Sequence, residues 1–161
     1  MGTYTPTKTY NGRDLMVYVN DNGTYKSIAW ATSHSVSVSQ SMQTISTKDN
    51  AQWGSSEPSE ITWEITSDNL YSDEGYSLLF NSMVAGDKLT VKFGLKKAET
   101  GTVADGDVEY WQPSTTTGAY YMQGDVIISS LDLTAENGNK CTFSATFTGV
   151  SKLELKQVGS N

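Results

Sequence analysis

Cysteine, histidine and arginine are almost missing from this chain of 161 residues, which has one of each: Cys141, His34 and Arg13. A single cysteine excludes an internal disulfide and argues against a metal site built on thiolates. No apolar run approaches the roughly 18 residues that a membrane-spanning helix needs. Residues 1–12 have no apolar stretch typical of a signal peptide, so the sequence predicts folding in a reducing cytoplasm.

Positive charge is also scarce, because the chain has 11 basic and 18 acidic residues and therefore a net charge of −7. Affinity for a phosphate backbone comes mainly from clustered Lys and Arg, and here the basic residues are scattered. The composition therefore argues against nucleic-acid binding. Only 18% of the residues are charged, and the abundance of Ser, Thr, Gly and Tyr is typical of β-rich proteins with many subunit contacts.

An alternation of apolar and polar residues runs through most of the chain and predicts β-strands. Residues 14–20 and 25–30 flank the turn 21–23, whose residues suit a positive φ and favour a hairpin. Further alternating stretches are residues 35–46, 60–66, 89–95, 126–133 and 141–148. The pattern predicts about eight strands in a mostly β fold, which favours a sandwich or barrel.

One segment breaks this pattern and predicts the only helix, at about residues 73–85. Its apolar residues are spaced three and four apart, as on the apolar stripe of a helix: Tyr76, Leu79, Phe80 and Met83. Ser72 or Asp73 can cap the start, and Gly86 suits the left-handed residue that often follows a helix.

Two long segments, residues 47–59 and 96–118, show neither the strand nor the helix period. Loops of that length are uncommon in a compact domain unless they have a function or are disordered. Each contains a tryptophan, Trp53 or Trp111, which a purely disordered linker would tend to lack. We therefore expect both segments to be ordered by contact with something else.

Residues that could carry catalysis or bind a metal lack the spacing that such chemistry requires. His34 lies among serines at the start of a strand, without a nucleophile motif, and is expected to be a partly exposed strand residue. Cys141 is expected to be a small buried hydrophobe. Asp105, Asp107 and Glu109 could hold calcium, but without a specific loop spacing a solvated loop is favoured. The sequence predicts no enzyme and no cofactor.

The tryptophans leave a binding alternative open. Trp30 and Trp63 lie on apolar strand faces and are expected in the core. Trp53 and Trp111 lie in the loops, where they suit contact with a protein or a sugar-stacking platform.

Two stretches carry motifs more specific than strand periodicity. Residues 43–72 read QTISTKDNAQWGSSEPSEITWEITSDNLYS, with Thr-Lys-Asp and a nearby tryptophan before the strand Ile-Thr-Trp-Glu-Ile-Thr. Residues 124–149 read GDVIISSLDLTAENGNKCTFSATFTG, with a strand ending in Ser-Leu-x-x-Thr-Ala, a tight Asn-Gly turn and a Thr-Phe-Ser-x-x-Phe-x-Gly strand. In this order, with the helix between them, they resemble the major tail (tail tube) proteins of long-tailed bacteriophages. Residues 96–118 show no such likeness.

The resemblance implies a single domain, residues 1–161, of two packed antiparallel sheets with about eight strands, flanked by the short helix. It implies a structural virion protein whose hexameric rings stack into the tail tube. The long loop after the third strand, about residues 43–59, would reach a neighbouring ring. An N-terminal arm at about 1–12 and an extended loop at about 96–118 would complete the domain.

Three sets of residues are expected at the surfaces of such a tube. The inter-ring loop would contribute Gln43, Thr44, Thr47, Lys48, Asp49 and Trp53. The second long loop would contact another subunit through Glu109, Tyr110 and Trp111. Negative charge facing the lumen would keep DNA from adhering within a Debye length of about 8 Å. Candidates on polar strand faces are Glu64, Asp132 and Glu154.

The resemblance also implies partners and a location. The tube would enclose the tape-measure protein and conduct DNA without binding it specifically. Tail terminator and distal tail proteins would be further partners, and no membrane contact is expected. The chain would be found in the virion tail and, during assembly, in the host cytoplasm. Two rival functions stay open: a tube protein of a contractile injection or type VI secretion system, and a carbohydrate-binding β-sandwich module.

Overall fold

The computed structural model describes residues 9–28, 31–50, 53–96 and 112–159. Within these ranges it contains eight strands and one α-helix, so the fold is mostly β as predicted. The strands are β1 (Leu15–Asp21), β2 (Thr24–Ser27), β3 (Ala31–Ile45), β4 (Ser55–Leu70), β5 (Leu89–Leu95), β6 (Tyr120–Thr134), β7 (Thr142–Gly149) and β8 (Glu154–Gln157), and the helix is α1 (Asp73–Ala85). None of the described helices is long and apolar enough to cross a bilayer.

The local signals in the sequence produce the expected turns and helix ends. The β1–β2 hairpin turns at Asn22 and Gly23, with φ of 50° and 90°. Helix α1 begins after Ser72, whose hydroxyl accepts a hydrogen bond from the Gly75 backbone N–H, and it ends at Gly86 in the left-handed conformation. The predicted hairpin and the predicted helix at 73–85 are therefore confirmed.

The strands form one curled antiparallel sheet, open like half a barrel, and not the two packed sheets that were predicted. Its order is β2-β1-β5-β6-β7-β4-β3, with β8 also pairing with β6. The long strand β6 joins the two halves, because Val126 pairs with Leu89 of β5 on one side and with Gly149 of β7 on the other. Alternation along single strands carries no information on this junction, and the prediction of two packed sheets is not confirmed.

The core lies on one face of the sheet, where α1 covers it. Its buried members are Val17, Val19, Ile28, Trp63, Ile65, Leu79, Val91, Val126, Ile128, Phe143, Ala145 and Phe147. From α1 only Leu79 is fully buried, and the Tyr76 ring packs edge-on against Phe143 with centroids 5.5 Å apart. Phe80 and Met83, on the apolar stripe predicted for the helix, are exposed. One helix against one sheet thus buries only a narrow part of the stripe.

Trp63 fills the space left by two glycines and is buried as predicted. A Cβ at either Gly124 or Gly149 would overlap its indole ring. The indole Nε1–H donates a hydrogen bond of 2.7 Å to the Ser151 carbonyl. These glycines are therefore required by close packing against the ring. Trp30, the other tryptophan expected in the core, lies outside the described residues.

Cys141, expected to be buried, is only partly buried. It comes just before β7, in the connection that follows the turn at residues 137–139, and its carbonyl accepts a hydrogen bond from the Tyr71 N–H. The prediction was wrong because the alternating pattern was extended one residue beyond the start of the strand.

Candidate assembly surfaces

The β3–β4 hairpin projects beyond the rest of the sheet. β4 pairs with β7 only from Glu64 to Leu70, whereas its pairing with β3 continues as far as Ser55 opposite Ile45. Residues 39–50 and 53–62 therefore form a two-stranded projection, which we call the arm. At about 3.3 Å per residue, its tip lies roughly 25 Å beyond Trp63.

The six residues predicted for the inter-ring contact all lie in the distal part of the arm and are all exposed. They are Gln43 and Thr44 in β3, and Thr47, Lys48, Asp49 and Trp53 around the tip. Trp53 is 85% exposed. β4 already begins at Ser55, so the part without strand pairing is shorter than the predicted 47–59. Residues 55–59 lack alternation because both faces of the arm are exposed there.

One face of the arm and its base carries three apolar side chains that nothing in the described part of the chain covers. Alternation within β3 places Val38 and Met42 on the face that carries the core farther along the sheet, and Ile61 opposite Gln40 shares this face. All three are more than half exposed, and we call them the arm stripe. A two-stranded hairpin standing alone is marginally stable in water. The exposed stripe therefore makes the arm a candidate interface.

The face of the sheet opposite the core is lined with hydroxyl and acidic side chains over β3, β4, β7 and the second half of β6. By strand register, this hydroxyl face comprises Ser33, Ser35, Ser37, Glu64, Thr66, Asp68, Ser130, Asp132, Thr134, Thr142, Ser144, Thr146 and Thr148. Leu70 and Ile127 are its apolar members. β3, β4, β6 and β7 contain no Lys or Arg, and the basic residues within described strands are Lys26, Lys92 and Lys156 on β2, β5 and β8.

Two of the predicted lumen acids, Glu64 and Asp132, share the hydroxyl face with Asp68, which the sequence analysis missed. Asp68 accepts hydrogen bonds from the hydroxyls of Ser33 at 3.0 Å and Ser144 at 2.5 Å. Asp68 of β4 is thus linked by hydrogen bonds to both neighbouring strands, β3 and β7. The alternation of Thr62, Glu64 and Thr66 continues to Asp68, so following it two residues farther would have identified this acid.

The third predicted acid, Glu154, lies on the other half of the sheet, on β8 opposite Gln123. It forms an ion pair of 2.9 Å with Lys156. This hydrogen-bonded ammonium holds the pKa of Glu154 below its usual range. Its charge is therefore matched locally, unlike the charges of the acids on the hydroxyl face.

A lysine lies between aromatic rings on this same half of the sheet. The Lys92 Nζ is 4.1 Å from the ring centroid of Tyr25 and 5.0 Å from that of Tyr121. Burial, followed by the charge of Lys156, lowers the pKa of Lys92. Tyr18 is fully buried beside it, and burial raises the pKa of its phenol. A cavity of about 300 Å³ adjoins this cluster.

His34 lies on the core face of β3 opposite Ser67, and both of its ring nitrogens are buried without a hydrogen-bond partner among the described residues. Burial lowers its pKa to about 4, against an opposing effect of Asp68. The imidazole is thus more buried than the sequence suggested, and it is neutral at pH 7. No group of three metal-ligating side chains occurs in the described ranges.

The second predicted contact set, Glu109, Tyr110 and Trp111, lies outside the described residues, as do Asp105 and Asp107. The extended loop at 96–118 is described only at its two ends. There, Lys96 forms a β-bridge with Pro113.

Comparison with protein families gives a match over residues 9–154 to the model described as phage tail tube protein. No curated protein matches the chain.

Several solved structures share the fold at low sequence identity. A chain from the tail of an empty gene transfer agent particle, solved with C6 symmetry, is 14% identical to this one. The TM-score is 0.69 over 92% of this chain and 99% of that one. The SPP1 tail tube is 9% identical, with a TM-score of 0.64 over 94% and 80% of the two chains. A chain of the PVC sheath-tube complex, an extracellular contractile injection system, is 16% identical, with a TM-score of 0.57 over 89% and 88%.

Proposed function

This chain belongs to the phage tail tube protein family, and we propose that six copies close into a ring and that rings stack into a tail tube. The observation that carries the proposal is the family match over residues 9–154. The similar gene transfer agent tail with C6 symmetry supports six copies per ring. In this function the chain is a structural subunit of the virion tail and not an enzyme.

The hydroxyl face is the wall of the lumen in this proposal. The distribution of charged residues supports this assignment. β3, β4, β6 and β7 carry Glu64, Asp68 and Asp132 on this face, and they contain no Lys or Arg. Three acids in each of six subunits give eighteen carboxylates per ring. Short hydroxyl side chains offer DNA no cationic partner, and the acids repel phosphate within a Debye length of about 8 Å. Glu154 contributes less because Lys156 neutralises it.

Open strand edges support the closure of the ring. In the described sheet, the main strand order ends at β2 with 4 residues and at β3 with 15 residues, and β8 pairs only with β6. A long unpaired edge such as that of β3 is an aggregation hazard in a monomer. A head-to-tail contact whose rotation closes gives a ring, in which a neighbouring copy covers the edge.

The arm serves as the contact between rings. Its reach of roughly 25 Å beyond Trp63, its exposure on both faces and its uncovered stripe support this role. Gln43, Thr44 and Trp53 are then contact residues, together with the tip residues Thr47, Lys48 and Asp49.

The remaining partners follow from the tube itself. The lumen encloses the tape-measure protein before DNA passes through, and tail terminator and distal tail proteins bind the tube. The chain assembles in the host cytoplasm and ends in the virion tail. DNA is a transient occupant without a specific site.

A tube subunit of a contractile injection system is the second candidate function. The observation that favours it is the shared fold with the PVC sheath-tube complex, at a TM-score of 0.57. The family match to phage tail tube proteins favours the first function.

The experiment is size-exclusion chromatography with light scattering, followed by negative-stain microscopy of the same fractions over a range of concentrations. We expect rings of six times 17.5 kDa, about 105 kDa, and tubes with a central channel. A mass of 17.5 kDa at every concentration, with no ring in the images, would contradict the proposal. Glycan binding by that monomer would favour a carbohydrate-binding module instead.

A further inference from the structure

The apolar surface outside the core is concentrated on two elements. Of the fourteen large hydrophobic residues exposed in the described ranges, eight belong either to the arm with its base or to α1. Those of the arm and its base are Val38, Met42, Trp53 and Ile61, and those of α1 are Leu78, Phe80, Met83 and Val84. Monomeric proteins rarely leave large contiguous apolar patches uncovered, so both elements are candidates for an interface.

The two elements lie toward opposite ends of the molecule. β4 extends from Ser55 at the arm tip to Leu70, and α1 begins three residues later at Asp73. At about 3.3 Å per residue, the 16 residues of β4 separate the tip from the start of the helix by roughly 50 Å. The tip of the arm is therefore far from the helix of its own chain.

Both apolar surfaces lie on the same side of the sheet. The arm stripe continues the core face outward along β3 and β4. Helix α1 packs on that same face through Leu79. Phe80, Met83 and Val84 lie on the turns next to Leu79 and are 47%, 37% and 72% exposed. We call these three residues the α1 patch.

From this arrangement we infer that the arm of one copy packs its stripe and Trp53 on the α1 patch of a second copy in the next ring. This inference rests on the proposed function. Copies that follow one another in the same orientation along the strand direction bring the arm end of one to the α1 end of the next. Such a heterologous contact repeats without closing and so builds a filament.

The size of the arm suits this contact. Residues 39–50 and 53–62 amount to about two dozen residues, and a standard protein interface uses roughly 20–30 residues on each side. Trp53, 85% exposed, is the largest apolar side chain of the arm, and buried tryptophans are frequent anchors of binding energy. A ring of six copies makes this contact six times. A modest loss of binding free energy at one contact is therefore multiplied in the stacking of rings.

The test compares Phe80→Ser with Leu78→Ser as its matched control. Both residues are exposed apolar positions of the same helix, 47% and 37% exposed, but two residues apart they project about 160° from one another at 3.6 residues per turn. In Phe80→Ser we expect rings to persist while the protein concentration needed for tubes rises at least tenfold. In Leu78→Ser we expect tubes at the unmodified concentration. Circular dichroism and thermal melting verify that both variants fold.

A photo-crosslinking amino acid at position 80 identifies the partner directly. Unlabelled and ¹⁵N-labelled copies are mixed, and we expect crosslinks in tubes, but not in isolated rings, to join position 80 of one copy to residues 42–61 of another. Crosslinks to any other segment, normal tubes from Phe80→Ser, loss of rings, or equal loss of tubes in Leu78→Ser would each overturn the inference. If the unmodified chain formed no ring or tube, the proposed function would fail, and this inference with it.

Discussion

The packing of Trp63 against Gly149 allows a sharp test of the fold, through the substitution Gly149→Ala. The added methyl group would overlap the indole ring, so the ring must move and lose its 2.7 Å hydrogen bond to the Ser151 carbonyl. Overpacking a filled core site costs about 1–3 kcal/mol, and the lost hydrogen bond costs about 1 kcal/mol. Replacing a strand glycine by alanine returns about 0.5–1 kcal/mol of backbone entropy. The expected net loss is about 2 kcal/mol in the free energy of unfolding.

The assay is urea denaturation, monitored by circular dichroism and tryptophan fluorescence at a concentration where light scattering shows a monomer. For a domain of this size, the loss corresponds to a fall in the melting temperature of roughly 4–8 °C. Gly12→Ala is the matched control, because a Cβ there meets nothing within 4 Å, and its stability should stay within about 0.5 kcal/mol.

A double-mutant cycle isolates the Trp63 contact. In a Trp63→Leu background the smaller side chain leaves room for the methyl group, so most of the cost of Gly149→Ala should disappear, as coupling between contacting residues predicts. Equal cost in both backgrounds, or no loss in Gly149→Ala alone, would refute the packing argument.

Three further predictions concern the arm, the hydroxyl face and the buried histidine. Deletion of residues 47–58 should leave a folded monomer that does not polymerise; loss of the β circular dichroism signal would show instead that this segment belongs to the core. Asp68→Ala should lower the free energy of unfolding by about 1–2 kcal/mol, because two serine hydroxyls lose a charged acceptor, whereas Asp132→Ala, which keeps those bonds intact, should stay within about 0.5 kcal/mol. His34 has a folded pKa of about 4, below the ordinary 6.5, so the unfolded chain takes up the proton first as the pH falls. Stability should be complete above about pH 6.5 and decline by roughly 3 kcal/mol toward pH 4. The free energy of unfolding is measured by urea titration at each pH. If that of a His34→Leu variant declines with falling pH as steeply as that of the unmodified chain, the assignment of the decline to His34 is contradicted.

Local signals made the strands and the helix predictable. Ser72 and Gly86 mark the ends of α1 through bonds and angles that involve neighbouring residues only. The turn at Asn22 and Gly23 likewise depends on the φ preferences of two residues. Such features need no knowledge of the rest of the chain.

Long-range features were harder to predict. The pairing of Val126 with both Leu89 and Gly149 joins residues far apart in sequence, so the single sheet was not visible in any one segment. The helix stripe predicted burial for Phe80 and Met83, but the amount of surface that covers a helix depends on its neighbours. In the proposed tube, a neighbouring copy covers these exposed side chains.

The contact residues of the arm were predicted from the resemblance to a family, whereas the two-stranded form of the arm was not predicted. Gln43 and Thr44 lie in a paired strand, as the alternation of residues 35–46 predicted, and not in the loop that the resemblance implied. The assignment of these residues to the contact between rings stays a prediction.

The most direct measurement of the central claim is a cryo-electron microscopy reconstruction of tubes assembled from the purified chain. We predict six subunits per ring, with β3, β4, β6 and β7 facing the channel and Glu64, Asp68 and Asp132 at its surface. A channel lined instead by α1, or by the Lys92 half of the sheet, would contradict the account.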